Sequence, residues 1–142
     1  MTTAAEAEQI ILRHWLDNWV IGSQARTPTA FEEEQIPNDV SVGETEWAYV
    51  FIQDIGSPQQ TLGIPGNRRF LRKAQVNVNL YVPQGRGIRV ALDLAHEART
   101  IFEGVRLSPL KNFKRADIVR VGPKPPEYQV SVLCPFEYTE TK

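Results

Sequence analysis

The sequence holds one cysteine, one methionine and two histidines in 142 residues. A single thiol, Cys134, excludes an internal disulfide and fits a reducing compartment. His14 and His96 lie far from each other and from Cys134, and neither Cys-x-x-Cys nor His-Glu-x-x-His occurs, so no zinc signature is present. Long apolar runs are missing. The longest, Trp47–Ile52, falls far short of the ~20 residues that a bilayer-crossing helix needs. An excess of one charge is missing too: 16 Lys plus Arg stand against 17 Asp plus Glu, for a net charge of −1. That balance argues against a dedicated nucleic-acid or membrane-surface binder, whose affinity rests on surplus positive charge. The opening Met-Thr-Thr-Ala-Ala-Glu has no basic region and no apolar core, so no secretory signal is expected.

What is there is average for a soluble globular protein: 42% hydrophobic and 23% charged residues. This excludes a collagen-like or wholly disordered chain. The length predicts one domain over residues 1–142. A domain of that size hides about 70% of its unfolded surface and needs no metal or disulfide to hold its core.

Two segments carry the helical period. Thr3-Ala-Ala-Glu6 has the form of a capping box. Behind it Ala7, Ile10, Ile11, His14, Trp15, Asn18 and Trp19 recur at i, i+3, i+4 spacing, which predicts an amphipathic helix to about Ile21 with Gly22 as its C-cap. The second helix is predicted over Ile88–Glu103, with Ile88, Ala91, Leu92, Ala95, Ala98 and Phe102 on the buried side and Gly104 ending it.

Strands are predicted over Thr29–Ile36, Trp47–Ile55, Phe70–Val82, Asp117–Val121 and Tyr128–Tyr138. In the long third strand Phe70, Arg72, Ala74, Val76, Val78, Leu80 and Val82 alternate with a mostly polar set, so one face of the sheet is buried. Thr29–Ile36 reads as an edge because of Glu32, Glu33 and Glu34. Strands joined by loops favour antiparallel pairing. The expected fold is therefore α+β: a mainly antiparallel sheet with two amphipathic helices on one face.

Catalytic signatures are lacking. Gly56-Ser-Pro-Gln-Gln-Thr-Leu-Gly63-Ile-Pro-Gly66 is glycine-rich after a strand, but it lacks the Gly-Lys-Ser/Thr ending of a phosphate loop and precedes a strand. No Gly-x-Ser-x-Gly occurs. Cys134 alternates onto an apolar strand face, as a buried small hydrophobe does. His14 on the apolar face of the first helix reads as a core or interface histidine, and His96 as exposed. Trp15, Trp19 and Trp47 read as core or subunit contacts. No catalytic, cofactor or metal residue is assigned, and the chain is expected not to be an enzyme. The densest charge is Arg68, Arg69, Arg72 and Lys73, flanking Phe70. These five residues form a candidate partner or subunit interface, because arginine is enriched at interfaces and pairs bidentately with carboxylates. Glu32, Glu33 and Glu34 on a neighbouring copy are the candidate counterpart.

The order of these pieces resembles a known group. Leu62-Gly-Ile-Pro-Gly-Asn-Arg-Arg-Phe-Leu-Arg, a long strand, Val82-Pro-Gln-Gly-Arg-Gly, Ala91-Leu-Asp-Leu-Ala and Ile101-Phe-Glu-Gly follow one another. Thr27-Pro-Thr-Ala-Phe and the closing Tyr128-Gln-Val-Ser-Val-Leu-Cys-Pro-Phe extend the likeness over nearly the whole chain. Together they look like a group of small phage and prophage proteins, a phage-related domain of unknown function, and resemble the tail terminators of long non-contractile-tailed phages. The resemblance implies an α+β fold and a six-membered ring of identical subunits on the head-proximal end of the tail tube. Such a ring stops tube polymerisation and joins the tail to the neck or head-completion protein, while DNA passes through it without sequence-specific binding. The particle would be a phage, a prophage or a gene transfer agent, assembled in the host bacterial cytoplasm. Pro37–Glu46 departs from the group's pattern by its length and acidity. The alternatives are another neck or minor tail protein, or a non-enzymatic adaptor for a small ligand or peptide.

Overall fold

The computed structural model describes residues 4–21, 24–25, 27–31, 45–56, 69–85, 87–106, 113 and 115–141. Alternation along Ala74, Val76, Val78, Leu80 and Val82 decides the architecture. These side chains sit on one face of strand β5 (Arg69–Pro83) and are all buried. On one side β5 pairs antiparallel with β4 (Trp47–Gly56), and on the other with β7 (Glu127–Thr141). Register partners share a face. Ala48 and Val50 therefore join the same buried surface opposite Leu80 and Val78, and Val130, Val132, Cys134 and Phe136 join it from β7. β6 (Asp117–Lys124) closes one edge antiparallel to β7, with a register shift between Arg120 and Gly122, where Gly122 adopts a φ of 109°. That backbone favours glycine. With β3 (Thr29–Phe31) at the other edge, the sheet order is β3-β4-β5-β7-β6.

Two helices cover the aliphatic face: α1 (Ala4–Asn18) and α2 (Ile88–Phe102). The α+β fold is the one expected. Aromatic rings fill the space between the layers in a continuous series: Trp19, Trp15, Phe102, Phe113, Phe136 and Tyr138, with centroids 4.5–6.2 Å apart. Rings at such spacings add to the gain from burial. The indole N–H groups of Trp15 and Trp19 donate to the hydroxyls of Thr29 (3.2 Å) and Thr27 (3.0 Å) and tie α1 to the segment that enters β3.

Four details differ from the sequence expectations. α1 ends at Asn18, and Val20–Ile21 instead forms β1, paired antiparallel with β2 (Gln24–Ala25). β3 (Thr29–Phe31) is an edge strand but runs parallel to β4. A parallel pair needs a long crossover, and the 15 residues between Phe31 and Trp47 supply the length. In α2 the buried stripe is Ala91, Leu94, Ala95, Ala98 and Phe102. Ile88 is 37% exposed and Leu92 only half-buried, so the stripe is rotated by part of a turn towards Leu94. Finally, β6 runs on through Gly122 and Pro123, and the turn is confined to Pro125–Pro126. Thr3, Gly22, Glu32–Pro37 and the 57–68 segment lie outside the described residues.

Candidate functional site

β5 places the predicted basic cluster, and its alternation divides it. Phe70 and Arg72 continue the helix-side face, opposite Glu140 and Tyr138 of β7. The Arg72 guanidinium carbon lies 5.1 Å from the centre of the Phe70 ring, a cation–π distance. Lys73 points to the other face, opposite Glu137. Phe70, Arg72 and Lys73 are all half-buried. The backbone of Arg69 opens β5, opposite Thr141. Arg68, Glu32, Glu33 and Glu34 lie outside the described residues. The structure thus brings Phe70 and Arg72 together and separates Lys73 from them.

A second constellation escaped the sequence reading. It lies on the sheet face that no described helix covers. Trp47 of β4 stacks on Tyr81 of β5 at 4.5 Å, and its indole N–H donates to Glu127 Oε2 of β7 at 2.7 Å. Glu127 is only 6% exposed. A carboxylate held that deep is costly unless hydrogen-bonded, and the indole meets that need. Burial pushes the Tyr81 phenol above its ordinary range; the hydrogen bond with Asn79 works against this, and the Glu127 carboxylate adds to it. Next along the face, Gln129 Nε2–H donates to Ser131 Oγ (3.2 Å), whose hydroxyl donates to Asn79 Oδ1 (2.7 Å). Gln75 Nε2–H donates to Asn77 Oδ1 (2.7 Å), and Asn77 Nδ2–H to Gln53 Oε1 (3.2 Å). Gln129 Oε1 is buried without a partner. The only local signal was the polar half of the strand alternation. The pairings span up to 80 residues, a distance that no local pattern encodes.

Two cavities of about 490 Å3 flank α2. One lies where α1 meets the C-terminal half of α2 and is lined by His14, Asn18, Trp19, His96, Thr100 and Ile101 among others. It gathers both histidines, but they are engaged separately. His14 Nε2–H donates to the Ile101 carbonyl (2.9 Å), and His14 Nδ1 accepts from Asn18 Nδ2–H (3.2 Å), which sets the tautomer. His96 Nδ1 accepts from the Arg99 guanidinium (3.1 Å). The other cavity opens beside the start of α2, against Val82, Pro83, Ala91 and Tyr128. Among the described residues no three His, Cys, Asp or Glu side chains converge to hold a metal ion. Cys134 is buried, and burial pushes its thiol up to about 12, which keeps it protonated and unreactive at neutral pH.

No family model matches the chain, and no curated protein matches it. Chains of solved structures do match, 13 in number. One, a protein whose name describes no function, aligns over 100% of this chain and 99% of its own length with a TM-score of 0.69 and 11% identity. At that identity the likeness shows that the α+β fold is shared along the whole chain.

Proposed function

We propose that this chain is a structural subunit of a phage-type tail, a terminator that forms a ring on the head-proximal end of the tail tube. One observation carries the reading furthest. The resemblance of the sequence to that group implies a mainly antiparallel sheet with helices on one face, and this is the fold observed. The roles that follow are stopping tube growth and presenting a surface to the neck protein, with six copies around a central hole. The near-zero net charge suits a conduit that surrounds DNA without gripping it.

Native mass spectrometry over a concentration series, with negative-stain images of the same samples, tests the assembly. Closed rings of one size, six subunits each, are the expected result. A chain that forms rings neither alone nor on isolated tube ends overturns the reading.

A further inference from the structure

The near-zero net charge conceals an uneven division. Residues 1–56 hold ten Asp and Glu against two Lys and Arg, a net of −8, while residues 57–142 hold seven against fourteen, a net of +7. No Lys or Arg occurs from Thr27 to Asn67. The fold keeps the two charges apart. The strand order puts β3 and β4 of the acidic part at one edge of the sheet and β6 at the other, four strand spacings or about 19 Å away. α1 lies on the acidic side, where Trp15 and Trp19 donate to Thr29 and Thr27 and Glu8 lies beside Asp54. α2 lies over β5, β7 and β6. Both edges are open among the described residues. β3 covers only Ala48–Val50 of β4, which leaves Phe51–Gly56 without an outer neighbour. There the exposed Asp54 precedes Ile55, which is 53% exposed. On β6 the exposed Arg120 stands between Val119 and Val121, which are 42% and 44% exposed. Opposite charges near each edge are already engaged. Beside Asp54, Arg72 lies over the Phe70 ring and Lys73 stands opposite Glu137. Beside β6, Glu103 accepts from the Ala116 N–H, Glu127 accepts from Trp47, and Asp117 meets Arg115 at 3.5 Å in an exposed pair of the kind that contributes little.

We propose that the β6 edge of one copy docks on the β3–β4 edge of the next. The inference rests on the ring reading above and names the contact that closes the ring. An open strand edge is a template for another strand, and charge complementarity selects a second copy as the occupant. Two like edges would set Arg115 and Arg120, or Asp54, against their own copies, and like charges facing each other repel. Joining the unlike edges pairs acid with base and covers Ile55, Val119 and Val121. β3 and β6 run in opposite directions within the sheet. Copies rotated about an axis along the strands therefore bring these edges together antiparallel, and the sheet continues from copy to copy. Register carried across the strands sets Thr29–Phe31 level with Ile118–Arg120, and sets Asp54 within one residue of the level of Arg115. The two edges differ and lie on opposite sides, so the contact is heterologous and repeats around a ring instead of stopping at a pair.

Sedimentation velocity on the full chain, over a range of concentrations, tests this with two variants, each altered at one edge: Asp54→Lys/Ile55→Lys and Arg115→Glu/Arg120→Glu. All four positions are exposed, and circular dichroism checks that each variant is folded. Each variant alone is expected to self-associate about 10-fold more weakly, or worse. Each keeps the edge that the other has lost, so a one-to-one mixture is expected to form at least mixed pairs, with an affinity within about 3-fold of the unaltered contact. Self-association retained by either variant alone overturns the contact and leaves the ring reading standing. Two weakened variants that do not pair on mixing also overturn it, because the contact then does not join these two edges. An unaltered chain that stays monomeric to about 1 mM overturns it as well, and ring formation on tube ends then decides the ring reading separately.

Discussion

The two faces of β5 share one backbone and differ in what holds them. Beneath the helices, Ala74, Val76, Val78, Leu80 and Val82 meet other apolar side chains with no directional demand. On the opposite face Gln75, Asn77 and Asn79 are joined to Gln53 and Ser131 by directed hydrogen bonds, while Tyr81 stacks on Trp47 above a buried carboxylate. The first face is set by volume and polarity, so hydrophobic exchange is tolerated and charge is not. The second is set by matched donors and acceptors, so removing one partner costs more than removing both. The comparison separates residues that make the domain fold from residues that fix which strands meet.

The sharpest break in this contrast is a charge under the helices. Leu94→Asp is expected to cost more than about 4 kcal/mol and to abolish cooperative thermal unfolding followed by circular dichroism. Leu92→Asp, on the half-buried flank of the same helix, is expected to stay folded. Equal damage from the two substitutions would contradict the facing of α2.

Alkaline pH probes the same face. The Cys134 thiol rises in the fold from its ordinary value of about 9 to about 12. Between those values the unfolded chain has released the proton that the folded chain keeps. The stability contributed by this group is therefore complete below pH 9 and falls as pH rises towards 12, with a slope of about 1.4 kcal/mol per unit. Urea melts across that window check the slope, and Cys134→Ala is expected to reduce it, leaving the smaller fall at higher pH that the raised Tyr81 phenol contributes.

On the hydrogen-bonded face the effects are smaller. Trp47→Phe keeps the ring but removes the donor to Glu127 Oε2, and is expected to cost about 1–3 kcal/mol in urea unfolding. Smallest of all is Gln129→Met. It removes the unpartnered Oε1 at the expense of one 3.2 Å donation to Ser131, so stability is expected to change by less than about 0.5 kcal/mol. A large loss there would mean that Gln129 is held by more than this ladder.

Most of the fold was legible because its elements obey their own periods. The two-residue period of β5 and β7 and the 3.6-residue period of α1 and α2 were visible directly. The direction of β3 was not, because parallel and antiparallel strands share the same local period and differ only in the path of the connection. Choosing Leu92 over Leu94 failed for a related reason: both flank the Ala91/Ala95/Ala98 line, and the packed layer decides between them. The basic cluster shows the opposite error. The alternation of β5 already assigned Arg72 and Lys73 to different faces, and proximity in sequence is not proximity on a strand. The Trp47–Glu127 bond was beyond any local reading, since it spans the chain from β4 to the start of β7.

Tube capping tests the central claim most directly. Tail tube protein is polymerised with and without this chain, and tube lengths and ends are measured by electron microscopy. The account predicts tubes that stop growing and carry a ring of added density at one end. Tubes of unchanged length with bare ends, at concentrations where the chain is folded and in excess, would contradict it.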